Sequence, residues 1–366
     1  MMELDDPQLC LLLLRACEGM KKLNYCWRTV HPSLITDAID SMEQAIINTL
    51  REICVAGGPG FGNFQVDLAA LPIDLNGLGI ALPSDVAAVA YAASSISTLS
   101  LQSLIFPELT TCIPTDARSL VDSIMTQCRF TTTQKAEFEA KIILPHKLQQ
   151  HMARCLFEAK REDLLSHPYL LRQTKDSQTR IQCMLASNRV SGTNNNGTIC
   201  SISSQWLLAL PNPGLSQYMT PSEFRAAIAM RLAIPLFATS MPCPKSACQS
   251  NHVMMDKFGY HILACRGDRN MCKARHDLVR DALSDLAGKC DFNPVKDAPV
   301  NCLGFSSNGV LHRYRPADLQ IRGNDFNRDC IDVTVVSPIS KIMGPSGNFL
   351  PENKAKNAEI LKINKH

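Results

Sequence analysis

Apolar residues recur at helical spacing through the first two-thirds of the chain. Only near its end do they alternate singly with polar ones. Leu9, Leu12, Leu13, Ala16, Met20 and Leu23 predict a helix over 7–28. Ile35, Ile39, Met42, Ile46, Leu50 and Ile53 form the stripe of a second, with Ser33 as its expected cap. The glycine-rich stretch 57–62 then closes it. No Lys-Ser/Thr follows, so this stretch reads as a connector and not as a nucleotide loop. An alanine-rich helix is predicted near 84–95, and the longest helical candidate covers 134–161. Thr220-Pro221-Ser222-Glu223 is a capping box opening a helix whose stripe is Phe224, Ile228 and Leu232. A further amphipathic helix over 275–286 is expected to turn Leu278, Ala282 or Leu283, and Leu286 toward a core.

The alternating stretches flank Gly323-Asn324-Asp325 and predict a β-hairpin. Leu319 and Ile321 share one face, with Asp318, Gln320 and Arg322 opposite. In the second strand Ile331, Val333 and Val335 share a face, with Asp332 and Thr334 opposite. Centring the turn on Asp325 sets Asp318 across from Asp332 on the same face. Cross-strand Cβ atoms lie about 4.5–5.5 Å apart, where two carboxylates repel. A divalent cation removes that repulsion, and Mg²⁺ between carboxylates and phosphate is the chemistry of nucleic-acid cleavage.

Composition narrows the picture. A chain of 366 residues with 45 % apolar and 19 % charged residues is a folded protein of two or three domains. The leucine run within 9–14 is too short to span a bilayer, and acidic Glu3, Asp5 and Asp6 precede it. Neither a signal peptide nor a transmembrane segment is therefore expected, and the chain reads as intracellular. Most of the 16 cysteines stand singly in helical patterns, as small apolar residues of a reducing compartment. One set differs. Cys243-x4-Cys248-x12-His261-x3-Cys265 has the spacing of a tetrahedral, closed, structural Zn²⁺ site, with His252, Cys272 and His276 as alternative ligands. His146 and His151 have no partner at such spacing and read as structural or surface histidines. Residues 1–242 carry 19 Lys+Arg against 21 Asp+Glu, and residues 243–366 carry 18 against 13. The basic excess thus falls beside the hairpin, where phosphate contacts would need it.

Arg315-Pro316-Ala317-Asp318, followed fourteen residues on by Asp332 in an apolar strand, resembles the PD-(D/E)XK nuclease core. In particular it resembles the restriction-like endonuclease of non-LTR retrotransposon proteins, which carries a Cys-Cys-His-Cys motif just before the nuclease. Tyr25-Cys26-Trp27-Arg28-Thr29-Val30 and Leu71-Pro72 through Gly77-Leu78-Gly79-Ile80 resemble the region after the palm of their reverse transcriptases, including the thumb. The segments around Trp206–Pro211 and Thr220–Leu236 resemble the linker ahead of the zinc motif. The resemblance implies a mainly α N-terminal region, a zinc-stabilised subdomain and an α/β PD-(D/E)XK-like core. Its boundaries would be 1–115 (thumb-like), 116–240 (helical linker), 241–275 (zinc knuckle) and 276–366 (endonuclease, truncated because the family continues further).

The activity implied is Mg²⁺-dependent nicking of target DNA. Asp318 and Asp332 would hold the metal, and Asp297 would stand as a third carboxylate. Thr334 occupies the usual lysine position, so Lys362 or Lys365 would supply that group. Arg275, His276 and Arg315 would lie near nucleic acid. The partners implied are target DNA, element RNA and a polymerase-bearing chain, with a nuclear or cytoplasmic location and no membrane. An aromatic-x-Asp-Asp polymerase turn is missing, so no polymerisation is expected. The alternatives are a non-catalytic, zinc-dependent nucleic-acid-binding module and an inactive remnant.

Overall fold

The computed structural model describes residues 4–18, 23–106, 113–142, 147–186, 192–193, 199–200, 202–215, 217–250, 252–265, 269–297, 317–322, 328–333 and 335. These residues are mostly helical, with small antiparallel sheets. The chain divides into two compact units, Met1–Ala238 and Thr239–His366.

The first unit begins with α1 (Pro7–Leu13), α2 (Asn24–Thr29), α3 (Thr36–Val55) and α4 (Asn63–Ala70). Next come α5 (Pro83–Ser97), α6 (Leu99–Ile105), α7 (Thr115–Gln127) and α8 (Thr132–Ile142). It continues through α9 (Leu148–Leu165), α10 (Pro168–Leu171), α11 (Lys175–Ala186), the short pair β1 (Gly192–Thr193) and β2 (Ile199–Cys200), and α12 (Pro221–Arg231). The alanine-rich α5 is its axis. Ala87, Ala90, Ala92 and Ala93 are buried, and their small side chains let neighbouring helices come close on two sides. Trp27 and Ile39 pack on one side. Val121, Ile124, Phe138, Leu148 and Met152 pack on the other.

Three predicted elements differ in detail. The helix expected over 7–28 is broken: α1 runs into a π-helical turn at Leu14–Glu18, and α2 restarts at Asn24. The candidate over 134–161 is two helices, α8 and α9, separated by a stretch containing Pro145, which cannot supply a helical N–H donor. Ser33 does not cap α3; it lies in a 3₁₀ turn capped by His31, and α3 starts without a side-chain cap. The capping box of α12 is present, with Thr220 N–H donating to Glu223 Oε2 at 2.9 Å and Thr220 Oγ1 accepting from Glu223 N–H at 3.4 Å.

The Leu71–Ile80 segment sits inside the first unit, with Leu71, Leu75, Leu78 and Ile80 buried. Gly77 is required there, since a Cβ would fall 1.8 Å from the Leu71 carbonyl oxygen. Two guanidinium groups hold the segment. Arg231 donates to the carbonyls of Gly77 and Ile73 (both 3.0 Å) and to Ser204 Oγ at 3.1 Å. Arg15 donates to the carbonyls of Leu78 (3.0 Å) and Leu207 (2.9 Å). Burial, with Arg15 nearby, pushes Arg231 down to about 10. Carbonyl dipoles here do what a carboxylate does in an ordinary buried ion pair.

The second unit contains β3 (Met241–Pro242) paired with β4 (Met254–Met255), then α13 (Ser246–Gln249), α14 (Tyr260–Ala264) and α15 (Arg269–Lys289). A three-stranded antiparallel sheet follows in the order β5 (Asn293–Lys296), β6 (Leu319–Arg322), β7 (Arg328–Ile331). The expected core face of α15 is corrected. Leu278 is 71 % and Leu286 58 % exposed, whereas Ser284 and Ala287 are buried and His276 and Arg280 half-buried. The helix contacts the sheet end through polar groups, and those contacts fix its rotation instead of its leucines. Among the described residues no single helix is long and apolar enough to cross a membrane. The α5–α6 pair passes by length and composition only together, bent by 48°.

Candidate metal centre and carboxylate cluster

The β3–β4 ribbon and its turn bring the first two cysteines together. Cys243 N–H donates to Val253 O, Val253 N–H to Cys248 O (both 3.0 Å), and Cys248 N–H to Lys245 O (2.9 Å). The second pair sits on α14. The Asp256 carboxylate accepts the N–H groups of Phe258 (3.0 Å), Tyr260 (3.2 Å) and His261 (2.8 Å), and Gly259 enters the helix at φ +76°. This fixes the first turn, and with it the His261 ring. The sequence offered no sign of that role for Asp256 beyond its position before Gly259.

The four ligand atoms of Cys243, Cys248, His261 and Cys265 lie within 4.8 Å of one another. Cys265 Sγ is 3.8 Å from Cys243 Sγ and 3.5 Å from Cys248 Sγ. Zinc–sulfur bonds of about 2.3 Å at tetrahedral angles put sulfurs about 3.8 Å apart. All three cysteines are buried, and His261 Nε2 is buried with no hydrogen-bond partner among the described residues. One ring nitrogen of His261 lies among the three thiols, where it can serve as a fourth ligand. Donation from the Lys245 N–H lowers the Cys243 thiol, which favours the thiolate that a metal needs. The set can therefore bind a zinc ion, and four protein ligands leave no open coordination position. Of the alternative ligands, His252 is exposed and outside the group, His276 bonds elsewhere, and the Cys272 side chain lies outside the described residues.

The sheet carries the second constellation. In the β6–β7 register Leu319 faces Ile331 and Arg322 faces Arg328, so continuation by one residue sets Asp318 opposite Asp332. In the β5–β6 register Lys296 faces Leu319, and Asp297 N–H donates to Asp318 O at 2.9 Å. Asp297, Asp318 and Asp332 thus occupy neighbouring positions at one end of the sheet.

Asp318 is the most constrained of the three. Its Oδ2 lies 3.0 Å from His276 Nε2 and accepts the Val333 N–H at 2.7 Å. Desolvation alone would raise this carboxyl. A hydrogen bond shared with Asp332, with those from the Val333 N–H and His276, outweighs it and holds Asp318 at about 2. His276 moves the opposite way: desolvation opposes its charge, but Asp318 and Asp277 together raise it. Asp297 Oδ2 is 3.2 Å from Arg280 Nη1, and Arg280 also pairs with Asp277 (3.2 Å) and Asp281 (2.9 Å). Lys296 reaches Asp281 at 3.1 Å.

Arg275, expected near nucleic acid, donates to the Leu263 carbonyl at 2.7 Å and so ties α15 to α14. Lys362, Lys365 and Arg315 lie outside the described residues. Gln320, placed by its alternation on the face of Asp318, is fully buried two residues along from it. No family model, curated protein or solved structure matches the chain.

Proposed function

We propose that the second unit is a zinc-dependent nucleic-acid-binding module joined to a metal-dependent DNA-nicking core, as in non-LTR retrotransposon proteins. The observation that carries this reading is the apposition of Asp318 and Asp332, each one residue beyond its strand in the β6–β7 register, with Asp297 alongside just past β5. The order helix, strand, strand, strand from α15 to β7 agrees with the PD-(D/E)XK pattern that Arg-Pro-Ala-Asp brings to mind. The first unit, on the same resemblance, is the thumb-like and linker region.

Asp318 and Asp332 offer oxygen donors only, which suits Mg²⁺. When bound, such a cation supplies Lewis-acid activation of water and neutralises charge on phosphate. The protein's own part is preparation. Asp318 stays ionised at neutral pH, His276 and the Val333 N–H set the direction of its carboxylate, and Arg280 steers Asp297. Lys362 or Lys365 serves as the auxiliary base. Target DNA and element RNA are the partners of this reading.

A second reading, nucleic-acid binding without cleavage, draws on the same oxygen. Asp318 Oδ2 already has two partners, and the Cys/His group is the metal-ligand set that converges among the described residues. Nicking of supercoiled plasmid in Mg²⁺ distinguishes the two. Endonuclease action predicts nicking by the parent and none by Asp332→Ala at equal zinc content. A folded, zinc-loaded parent that binds plasmid without nicking it leaves the binding module.

A further inference from the structure

Three thiols held this close together can do more than hold a metal. Cys265 Sγ lies 3.5 Å from Cys248 Sγ and 3.8 Å from Cys243 Sγ. A disulfide bond is about 2.05 Å long, so the nearer pair needs to close by only about 1.5 Å. In a reducing compartment a lasting disulfide is rare, but a transient, redox-sensing one is an ordinary use of such a pair.

What holds each sulfur decides which pair can close. Cys243 is the most anchored of the three. Its N–H donates to Val253 O at 3.0 Å beside the β3–β4 ladder, its sulfur accepts the Lys245 N–H, and it is 3 % exposed. Cys248 stands on the four-residue α13, and Cys265 follows the five-residue α14, where the backbone leaves the helix at φ −63°, ψ 116°. These two are 6 % and 7 % exposed. Gln249, Ile262 and Leu263 beside them are exposed, so a small oxidant has little chain to pass. Proximity, access and a lighter anchorage all select Cys248 and Cys265.

We propose that the Cys/His group is a redox switch in which a peroxide joins Cys248 to Cys265 and so ends zinc binding. One thiolate attacks a peroxide oxygen, the O–O bond breaks, and that sulfur becomes a sulfenic acid. The second thiolate displaces hydroxide from it and forms the S–S bond. The two sulfurs together give up two electrons, and hydrogen peroxide with two protons from solvent leaves as two waters. Cys243 and His261 remain, two ligands where a closed structural site needs four. The switch rests on the zinc reading of this group and is independent of cleavage at the carboxylates.

The test uses the full zinc-loaded chain, with its metal content first fixed by elemental analysis. Hydrogen peroxide is added, released zinc is read with a metal-sensitive dye, and unreduced peptides are mapped by mass spectrometry. Zinc should leave in step with a Cys248–Cys265 disulfide, one ion per bond, and a dithiol reductant should restore both thiols and zinc binding. Cys26, Cys290 and Cys330 are exposed, so Cys26→Ser/Cys290→Ser/Cys330→Ser should fold and release zinc at the parent's rate. Zinc kept by a parent whose exposed cysteines have been oxidised would overturn the proposal. Zinc lost while Cys248 and Cys265 are still thiols, a disulfide between another pair, or a triple variant that keeps its zinc would do the same. A folded parent that takes up no zinc would overturn the zinc reading as well, which separates the two failures.

Discussion

The two units differ in what covers their buried polar groups. In the first, α5 sits between two apolar layers, and the buried Arg15 and Arg231 donate to backbone carbonyls. In the second, α15 exposes Leu278, Val279 and Leu286, Phe292 is also exposed, and ion pairs join α15 to Asp318 and Asp297 at the end of a sheet of four-residue strands. Its tightest group of buried residues is three cysteines around one histidine nitrogen. Among the described residues of this unit apolar cover is small, and structural zinc is an ordinary source of stability in such a case. The difference teaches that the first unit should stand without metal and the second should not.

The sharpest break of that comparison is Cys265→Ser, which removes the sulfur lying between the other two. Apparent zinc-binding energies at such sites reach about 10–16 kcal/mol, comparable with a whole domain's stability. The variant should lose its zinc by elemental analysis and lose the folded second unit by limited proteolysis, while the first unit resists as before. Phe64→Ala is the converse. Phe64 is 1 % exposed and stacks on Tyr169 at 4.8 Å. Its loss should cost about 3–5 kcal/mol in the first unit, seen by denaturant titration, with zinc content unchanged.

A smaller effect is expected from Arg231→Met. It leaves the carbonyls of Gly77 and Ile73 without their donor, at about 1–3 kcal/mol each, and recovers part of that by removing a buried charge. A net loss of about 2 kcal/mol should appear in the melting of the first unit. The smallest effect is pH-dependent. His276 is raised in the folded chain, so its pairing with Asp318 is fully present below about 6.5 and is lost as pH rises through the folded value. Asp318 is depressed, so its share is present above about 3.8 and fades as pH falls toward about 2. His276→Gln should flatten the alkaline limb of the stability curve by no more than about 1 kcal/mol, because solvent screens the pair.

These contrasts also mark what was legible in the sequence. The hairpin register was readable because period-two alternation and one turn centre admit a single pairing, and Asp318 met Asp332 as that pairing requires. The Cys/His set was readable because ligand spacing is local. The rotation of α15 was not, since a leucine count cannot anticipate that His276 and Arg280 turn toward carboxylates supplied by later strands. The Arg15 and Arg231 clamp was hidden for the same reason: its partners lie 63 and 154 residues away. The break between α8 and α9 was legible in Pro145, which the helical candidate over 134–161 ran across.

The central claim is that zinc holds the second unit and not the first. Hydrogen exchange of the full chain, read by mass spectrometry before and after removal of zinc with a chelator, tests it most directly. The account predicts that protection falls in β3, β4, α14, α15 and β5–β7, while peptides from α3, α5 and α9 keep their rates. Protection unchanged in both units would contradict it, as would an equal loss in both.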